Sequence, residues 1–160
     1  QRPLYISSVS HRQLDEHLAH ARAAQIFAPD TNVPLTTSIQ VSDTLQFLGY
    51  EILNPAARPG TDLNVLTYWR VLRRPPSLAV FVHLIDSQQR VVAQFDGFEA
   101  VVDELAPGDI VAQLHTLPLA ANLAPGTYRF EMGAYTREDL QRLPLNIGTD
   151  HVWLQTWQIK

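Results

Sequence analysis

Three Pro-Gly pairs constrain the fold of this chain more than any other feature. They are Pro59-Gly60, Pro107-Gly108 and Pro125-Gly126, and each precedes a run of strand-like residues. Proline presets the φ angle of the first corner of a turn, and glycine accepts the positive φ that the second corner requires. Short strand-like segments joined by tight turns are typical of a β-sandwich or a β-barrel.

Alternating and doubly apolar segments from about residue 38 onward predict seven strands. They are expected near residues 44–53, 62–72, 78–86, 90–96, 110–117, 127–135 and 151–159. In the sixth, Tyr128, Phe130 and Met132 alternate with polar residues, which indicates one buried face and one exposed face. We therefore predict a mainly β protein with an immunoglobulin-like or fibronectin type III-like sandwich of seven strands.

Three details refine this prediction. Tyr128 stands just after a turn at the start of the sixth strand, which is the arrangement of a tyrosine corner, whose hydroxyl bonds to the backbone a few residues upstream. Trp69 is expected to fill the space between the two sheets, which is about 10 Å wide. The segment 78–86 is apolar on both faces. It is expected to be a central strand, with one face covered by an N-terminal helix.

The N-terminal region has a different pattern. Ser10 followed by Gln13 resembles a capping box, which satisfies free N–H groups at the start of a helix. The apolar spacing that follows predicts a helix near residues 11–27. We therefore divide the chain into an N-terminal extension with one helix (residues 1–36) and the sandwich (residues 37–160).

Composition excludes several classes of function. The 160 residues carry a net charge of −4, and no basic run suggests a nucleic-acid partner. No cysteine is present, which excludes thiol catalysis, zinc-cysteine sites and disulfide bonds. The longest apolar stretches have the length of strands and are too short to span a bilayer. Because the chain begins at Gln1 without an initiator methionine or a signal peptide, we expect it to be part of a longer protein.

Histidines suggest two candidate metal sites, which we weigh against simpler roles. His17 and His20 are three residues apart on the predicted helix, where an exposed polar face is the alternative to a site. His83 and His115 lie within predicted strands, and a small polar site with Asp96 is conceivable if they face each other. The alternative is that each strand histidine bonds to a neighbour. No set has the number and spacing of ligands that zinc or calcium requires, so we expect no metal and no cofactor.

The chain lacks the motifs of catalytic sites. Neither Gly-x-Ser-x-Gly nor Ser-x-x-Lys occurs, and no glycine-rich loop could hold a phosphate. Glu99, Asp103 and Glu104 lie close together in one connection, which indicates a solvated acidic loop and not a pair of carboxylates across a cleft. We therefore expect no enzymatic activity in this chain, and a stand-alone hydrolase is the least favoured hypothesis for its function.

Stacking aromatics would serve a carbohydrate-binding role. The candidate ligand-binding residues are Tyr68, Asp96 and Trp157. Tyr68 points away from Trp69 and is expected on an outer face. Trp157 is expected on the same strand face as Trp153, where both residues could instead belong to the core.

Several segments resemble a C-terminal module of bacterial membrane proteins. This module follows the multi-pass membrane part of glycosyltransferases similar to the dolichyl-phosphate-mannose-protein mannosyltransferase family. The resemblance covers about residues 38–160. It rests on Leu45-Gln46-Phe47-Leu48-Gly49-Tyr50-Glu51-Ile52, Pro59-Gly60-Thr61-Asp62-Leu63, Tyr68-Trp69-Arg70, Val80-Phe81-Val82-His83-Leu84-Ile85-Asp86, Val92-Ala93-Gln94-Phe95-Asp96, Leu123-Ala124-Pro125-Gly126-Thr127-Tyr128-Arg129, Gly133-Ala134-Tyr135 and Arg142-Leu143-Pro144.

The resemblance implies a non-catalytic, extracytoplasmic module of a larger membrane-anchored protein that handles lipid-linked sugars. Its partners would be the upstream membrane part, a glycan or a lipid-linked sugar. The family's catalytic carboxylates belong to the membrane part and match nothing here. The chain departs from the family pattern after Asp96, at residues 98–105. The alternative is an autonomous carbohydrate-binding module, for which a planar, exposed row of aromatics would be the distinguishing feature.

Overall fold

The protein is a sandwich of two antiparallel four-stranded sheets. The computed structural model describes residues 18–21, 25–29 and 31–160. The elements are β1 Gln40–Val41, β2 Leu45–Ile52, β3 Asp62–Val71, β4 Leu78–Ile85, β5 Val91–Gly97, a 3₁₀ turn at Val102–Glu104, β6 Ile110–Pro118, β7 Gly126–Thr136 and β8 Val152–Ile159. The prediction of a mainly β sandwich is confirmed, and the seven predicted strands each agree with an observed strand to within one residue at either end.

The first sheet has the strand order β1-β2-β3-β6 and the second has the order β5-β4-β7-β8. The chain therefore passes between the sheets after β3, after β5 and after β6. The eighth strand, β1, pairs with the start of β2 through Gln40 and Val41. A strand of two residues is too short to show a period of two, which is why the sequence predicts seven strands.

Two of the Pro-Gly pairs form the predicted tight turns. Gly60 has a φ of +85° and Gly108 a φ of +91°, each following a proline. The turns are closed by hydrogen bonds from the N–H of Thr61 to the carbonyl of Arg58 (3.1 Å) and from Asp109 to Ala106 (3.1 Å). Proline followed by glycine with positive φ corresponds to a type II turn, which sets the direction in which the next strand begins.

The core fills the space between the sheets. Trp69 is fully buried there, with its ring centroid 5.0 Å from that of Phe47, so its predicted inter-sheet position is confirmed. Strand β4 lies between β5 and β7, and Val80, Val82 and Leu84 face this core. The prediction of a central strand at 78–86 is therefore also confirmed.

A buried polar chain crosses the core. Trp69 Nε1 donates to Thr67 Oγ1 (2.9 Å), and Thr67 Oγ1 lies 2.9 Å from His115 Nε2. His115 Nδ1 lies 3.2 Å from the carbonyl oxygen of Phe95 on the other sheet. A carbonyl can only accept, so Nδ1 carries the proton and Nε2 accepts from the threonine hydroxyl. Burial lowers the pKa of His115 to about 4, so the ring is neutral near pH 7.

Strand β8 contains a bulge that separates its two tryptophans. Opposite β7, Thr156 pairs with Arg129 but Trp153 pairs with Glu131, so β8 carries one extra residue between them. Trp157 consequently faces the core, whereas Trp153 lies on the outer face of the second sheet. The prediction that they share a face is wrong, because an unpaired residue reverses the alternation of side chains. For Trp157, the alternative that it belongs to the core is confirmed.

The predicted helix near residues 11–27 is shorter at its C-terminal end. Residues 18–21 are helical, but Gln25 and Ile26 are not, and Phe27 pairs with Trp153 of β8. The hydrogen bonds of Phe27 to this strand replace those of a further helical turn. The start of the predicted helix and its capping box lie outside the described residues, and the boundary between residues 36 and 37 stays a prediction.

The described helical turn covers the first sheet and not β4. Leu18 and Ala21 pack on Leu66, Tyr68 and Ala112, which lie on the outer face of β3 and β6. The expected covering of β4 by the helix is not seen for this turn, and residues 11–17 and 22–24 lie outside the described part of the chain. Among the described residues, no helix has the length and apolar character needed to cross a membrane.

Candidate functional site

The outer face of the second sheet brings together a carboxylate, an imidazole and a phenol. Asp96 lies on β5, His83 on β4 and Tyr135 on β7. His83 Nε2 donates to one carboxylate oxygen of Asp96 (3.2 Å), and Tyr135 Oη donates to the other (3.1 Å). We refer to Asp96, His83 and Tyr135 as the Asp96 cluster. Each side chain of the cluster is partly exposed to solvent.

The two donors keep Asp96 ionised. Burial works to raise its pKa, but the hydrogen bonds and charge interaction with His83, together with the bond from Tyr135, hold the pKa of Asp96 below its usual value. Burial and the neighbouring carboxylate raise the pKa of Tyr135, so its hydroxyl stays protonated and can donate. The cluster is therefore a fixed hydrogen-bond acceptor flanked by two donors.

Phe81 forms an apolar base beneath the cluster. Its ring is fully buried and stacks on His83 (centroids 4.7 Å apart) and on Tyr135 (6.4 Å). It lies across Gly133, where a Cβ atom would collide with the ring. The Cζ atom of Arg142, from the connection between β7 and β8, lies 4.4 Å above the ring centroid. Arg142 thus covers the face of β4 that the helix was expected to cover.

Arg142 also organises the acidic groups next to the cluster. Its Nη1 atom lies 2.9 Å from Glu131 Oε1 and 3.5 Å from Asp150 Oδ1. His151 Nδ1 lies 2.8 Å from the same oxygen of Asp150, and this hydrogen bond lowers the pKa of Asp150. These two carboxylates are therefore ion-paired with Arg142, whereas Asp96 is held by the imidazole of His83 and the hydroxyl of Tyr135.

The structure does not bring together the three residues predicted to bind a ligand. Tyr68 is 1% exposed under the helical turn, with its hydroxyl 3.3 Å from Glu51 Oε2. Trp157 is 4% exposed, and its Nε1 donates to the carbonyl of Pro55 (2.9 Å). Neither ring offers a face for stacking on a sugar, because other side chains cover both. Asp96 alone lies on an accessible surface.

The histidines are also separated. His20 is exposed on the helical turn, and His17 lies outside the described residues. His83 bonds to Asp96, as in the polar site considered from the sequence. His115 does not join them, because it lies between the sheets and bonds to Thr67 and Phe95. Within the described part of the chain, no group of three or more histidine, aspartate or glutamate side chains could hold a metal ion.

Sequence patterns did not predict that Tyr135, Phe81 and Arg142 lie near Asp96 on the outer face of the second sheet. The signal was available in part, because Phe81 pairs with both Asp96 and Gly133 in the antiparallel register. Aligning the predicted strands 78–86, 90–96 and 127–135 as neighbours would have placed these side chains on one face. The acidic connection after β5 agrees with the prediction, since Glu99, Asp103 and Glu104 are exposed.

Comparison with known proteins gives a structural likeness only. No family model matches the chain, and no curated protein matches it. Among solved structures, the chain is similar to the C-terminal domain of Wzt, with 13% sequence identity and a TM-score of 0.49 over 82% of this chain and 75% of that one. At this level of similarity the likeness carries no functional argument.

Proposed function

We propose that the chain is a non-catalytic accessory module that binds a glycan at the Asp96 cluster. The observation that supports this most strongly is the oriented carboxylate of Asp96, which accepts hydrogen bonds from His83 and Tyr135 on an accessible sheet face. Ionised carboxylates accept short, strong hydrogen bonds from hydroxyl groups, and sugars present such hydroxyls in pairs. The aromatic edges of Tyr135 and His83 provide the adjacent apolar contact.

The protonation state of the cluster supports binding more than catalysis. A general acid at neutral pH needs a raised pKa, whereas the pKa of Asp96 is lowered. Glycoside hydrolysis also needs a second carboxylate across the bond that is cleaved. The neighbouring carboxylates Glu131 and Asp150 are both ion-paired with Arg142. We expect the isolated chain to turn over no glycoside, ester or sugar-phosphate substrate.

A panel of neutral and acidic oligosaccharides, titrated while NMR amide shifts are followed, tests the binding proposal. We expect saturable binding that perturbs residues around Asp96 and is weakened at least about tenfold by Asp96→Asn, which corresponds to about 1.4 kcal/mol. Asp43→Asn is the matched control, because Asp43 lies on an exposed turn and pairs with Arg73. Absence of binding across the panel, or equal binding by Asp96→Asn, would overturn the proposal.

We also propose that the module belongs to a larger membrane-anchored, glycosyltransferase-like protein and faces the extracytoplasmic side. The support is the resemblance of residues 38–160 to the C-terminal modules of such proteins. The glycan would then be a lipid-linked sugar, and the upstream membrane part a partner within the same protein. Fusing a phosphatase that is active only outside the cytoplasm to the C-terminus of the full-length protein tests this: an inactive fusion contradicts the extracytoplasmic placement.

A further inference from the structure

A cleft of about 530 Å³ lies at the other edge of the second sheet. Gln25, Phe27 and Asn32 from the segment before β1 form one side. Arg129 of β7 and Gln155 and Thr156 of β8 form the other. Both sites include a residue of β7, and Arg129 of the cleft lies six residues from Tyr135 of the Asp96 cluster, about 20 Å along the strand.

The walls of the cleft are held by backbone hydrogen bonds. Phe27 N–H donates to the carbonyl of Trp153 (2.7 Å), and Trp153 N–H donates to that of Phe27 (2.9 Å). The segment then turns back, and Leu35 N–H donates to the carbonyl of Ile26 (2.7 Å). Phe27 thus pairs with the edge of β8, and these backbone bonds hold one side of the cleft against the strand.

The hydroxyl of Tyr50 joins the two sides of the cleft from beneath. It donates to the carbonyl of Gln25 (2.8 Å) and accepts from the N–H of Gln155 (3.0 Å). Burial raises the pKa of Tyr50 to about 12, so the hydroxyl keeps its proton at all physiological pH values. Two residues of the cleft are therefore positioned by one buried side chain.

Arg129 supplies a positive charge that the described residues do not neutralise. Its Cζ atom lies 4.4 Å from the ring centroid of Trp153. Within the described ranges, no carboxylate lies within ion-pair distance of its guanidinium. A guanidinium that lies over an aromatic ring still has N–H donors along its edge, in the geometry that binds the two oxygens of a carboxylate or phosphate.

We propose that this cleft binds a carboxylate or phosphate group of a sugar. Arg129 pairs with the oxyanion, and the side-chain amides of Gln25, Asn32 and Gln155 are available for the sugar hydroxyls. The sugar part of this inference rests on the proposed function, whereas the anion requirement rests on Arg129 alone. The ligand of the module is then an acidic glycan, with its charged group at the β8 edge.

The test uses glucuronic acid, glucose 1-phosphate and glucose, titrated separately into the whole chain while NMR amide shifts are followed. We expect one or both anions to perturb Arg129, Gln155 and Thr156, and glucose to bind there at least tenfold more weakly. Binding of one anion only identifies carboxylate or phosphate as the group. Arg129→Gln is expected to weaken anion binding at least tenfold, and rising salt to weaken it further.

Arg73→Gln is the matched control, because Arg73 is an exposed arginine that pairs with Asp43 and follows β3 of the first sheet. Equal binding of glucose, no binding of either anion, or unchanged affinity in Arg129→Gln would overturn the inference.

The two proposals fail separately. Shifts around Asp96 without shifts at Gln155 refute the cleft alone, and the reverse refutes the Asp96 cluster. Far-ultraviolet circular dichroism of each variant establishes that it remains folded, and Gln155→Ala provides a second variant that leaves the arginine in place.

Discussion

The hydroxyl of Tyr128 donates a hydrogen bond of 2.5 Å to the carbonyl oxygen of Ala124. The bond spans the turn that brings the chain from β6 on the first sheet to β7 on the second. Tyr128 is itself 5% exposed, whereas Ala124 is exposed, so the bond ties an exposed turn to a buried ring. This is the tyrosine corner predicted from the sequence, and it fixes one of the passages between the sheets.

Replacing Tyr128 with phenylalanine is expected to lower the free energy of unfolding by about 0.5–1.5 kcal/mol, because the bond that ties the Ala124 turn to β7 is lost. Denaturant unfolding of the two proteins measures the difference. Tyr135→Phe is a control of the same chemistry, and we expect a smaller loss there because Tyr135 and Asp96 lie in one sheet whose strands are already held by backbone hydrogen bonds. Equal losses in the two variants would argue against a special role for the corner.

The buried His115 makes stability depend on pH. Its folded pKa of about 4 lies below the ordinary value of 6.5, so between these values the unfolded chain binds more protons than the folded one. The contribution of His115 to the free energy of unfolding is therefore fully present above pH 6.5. It is lost as the pH is lowered towards 4, which reduces the free energy of unfolding by up to about 3 kcal/mol. Urea denaturation at intervals between pH 4 and 7.5 measures this dependence.

His115→Gln should be less stable at pH 7 and should lose most of that slope, since the group that titrates is gone. His20→Gln, which changes an exposed histidine, should keep it. An unchanged slope in His115→Gln would show that another group controls the response to acid.

Trp69→Ala is expected to cost about 3–5 kcal/mol, because it leaves a cavity between the sheets. The change also removes the donor to Thr67 Oγ1 and so weakens the polar chain that leads to His115. Val91→Ala is a suitable control, since Val91 is 47% exposed. A loss below 1 kcal/mol for Trp69→Ala, measured by guanidinium unfolding, would be inconsistent with the burial of this ring.

Gly49→Ala is expected to detach the helical turn from the first sheet. Gly49 has a φ of +146°, and a Cβ atom there would collide with the backbone carbonyl of Ala21. Overpacking of this kind costs about 1–3 kcal/mol, and we expect faster proteolysis near residues 18–27. Gly148→Ala is the control, because Gly148 also has a positive φ (+83°) but nothing within 4 Å of the added atom. Cleavage of both variants at the same rate would show that the collision with Ala21 does not detach the helical turn.

The local pattern of the sequence determined the strands and their turns. The Pro-Gly turns at Gly60 and Gly108 and the alternation around Tyr128 depend on neighbouring residues, so a reading of short segments finds them. The same local pattern placed Trp69 in the core, because Leu63 and Val65 share its strand face.

Only the tertiary structure decided the candidate sites. The bulge in β8 lies between Trp153 and Thr156, and it reverses which sheet face the following side chains point to. Nothing in the alternation of the sequence marks this extra residue. Tyr68 looks exposed in its strand because the helical turn that buries it comes from a distant part of the chain. The Asp96 cluster joins three strands, and the cleft at Arg129 needs Phe27 to pair with Trp153 of β8. These contacts depend on strand order and register, which residues far apart in the sequence determine together.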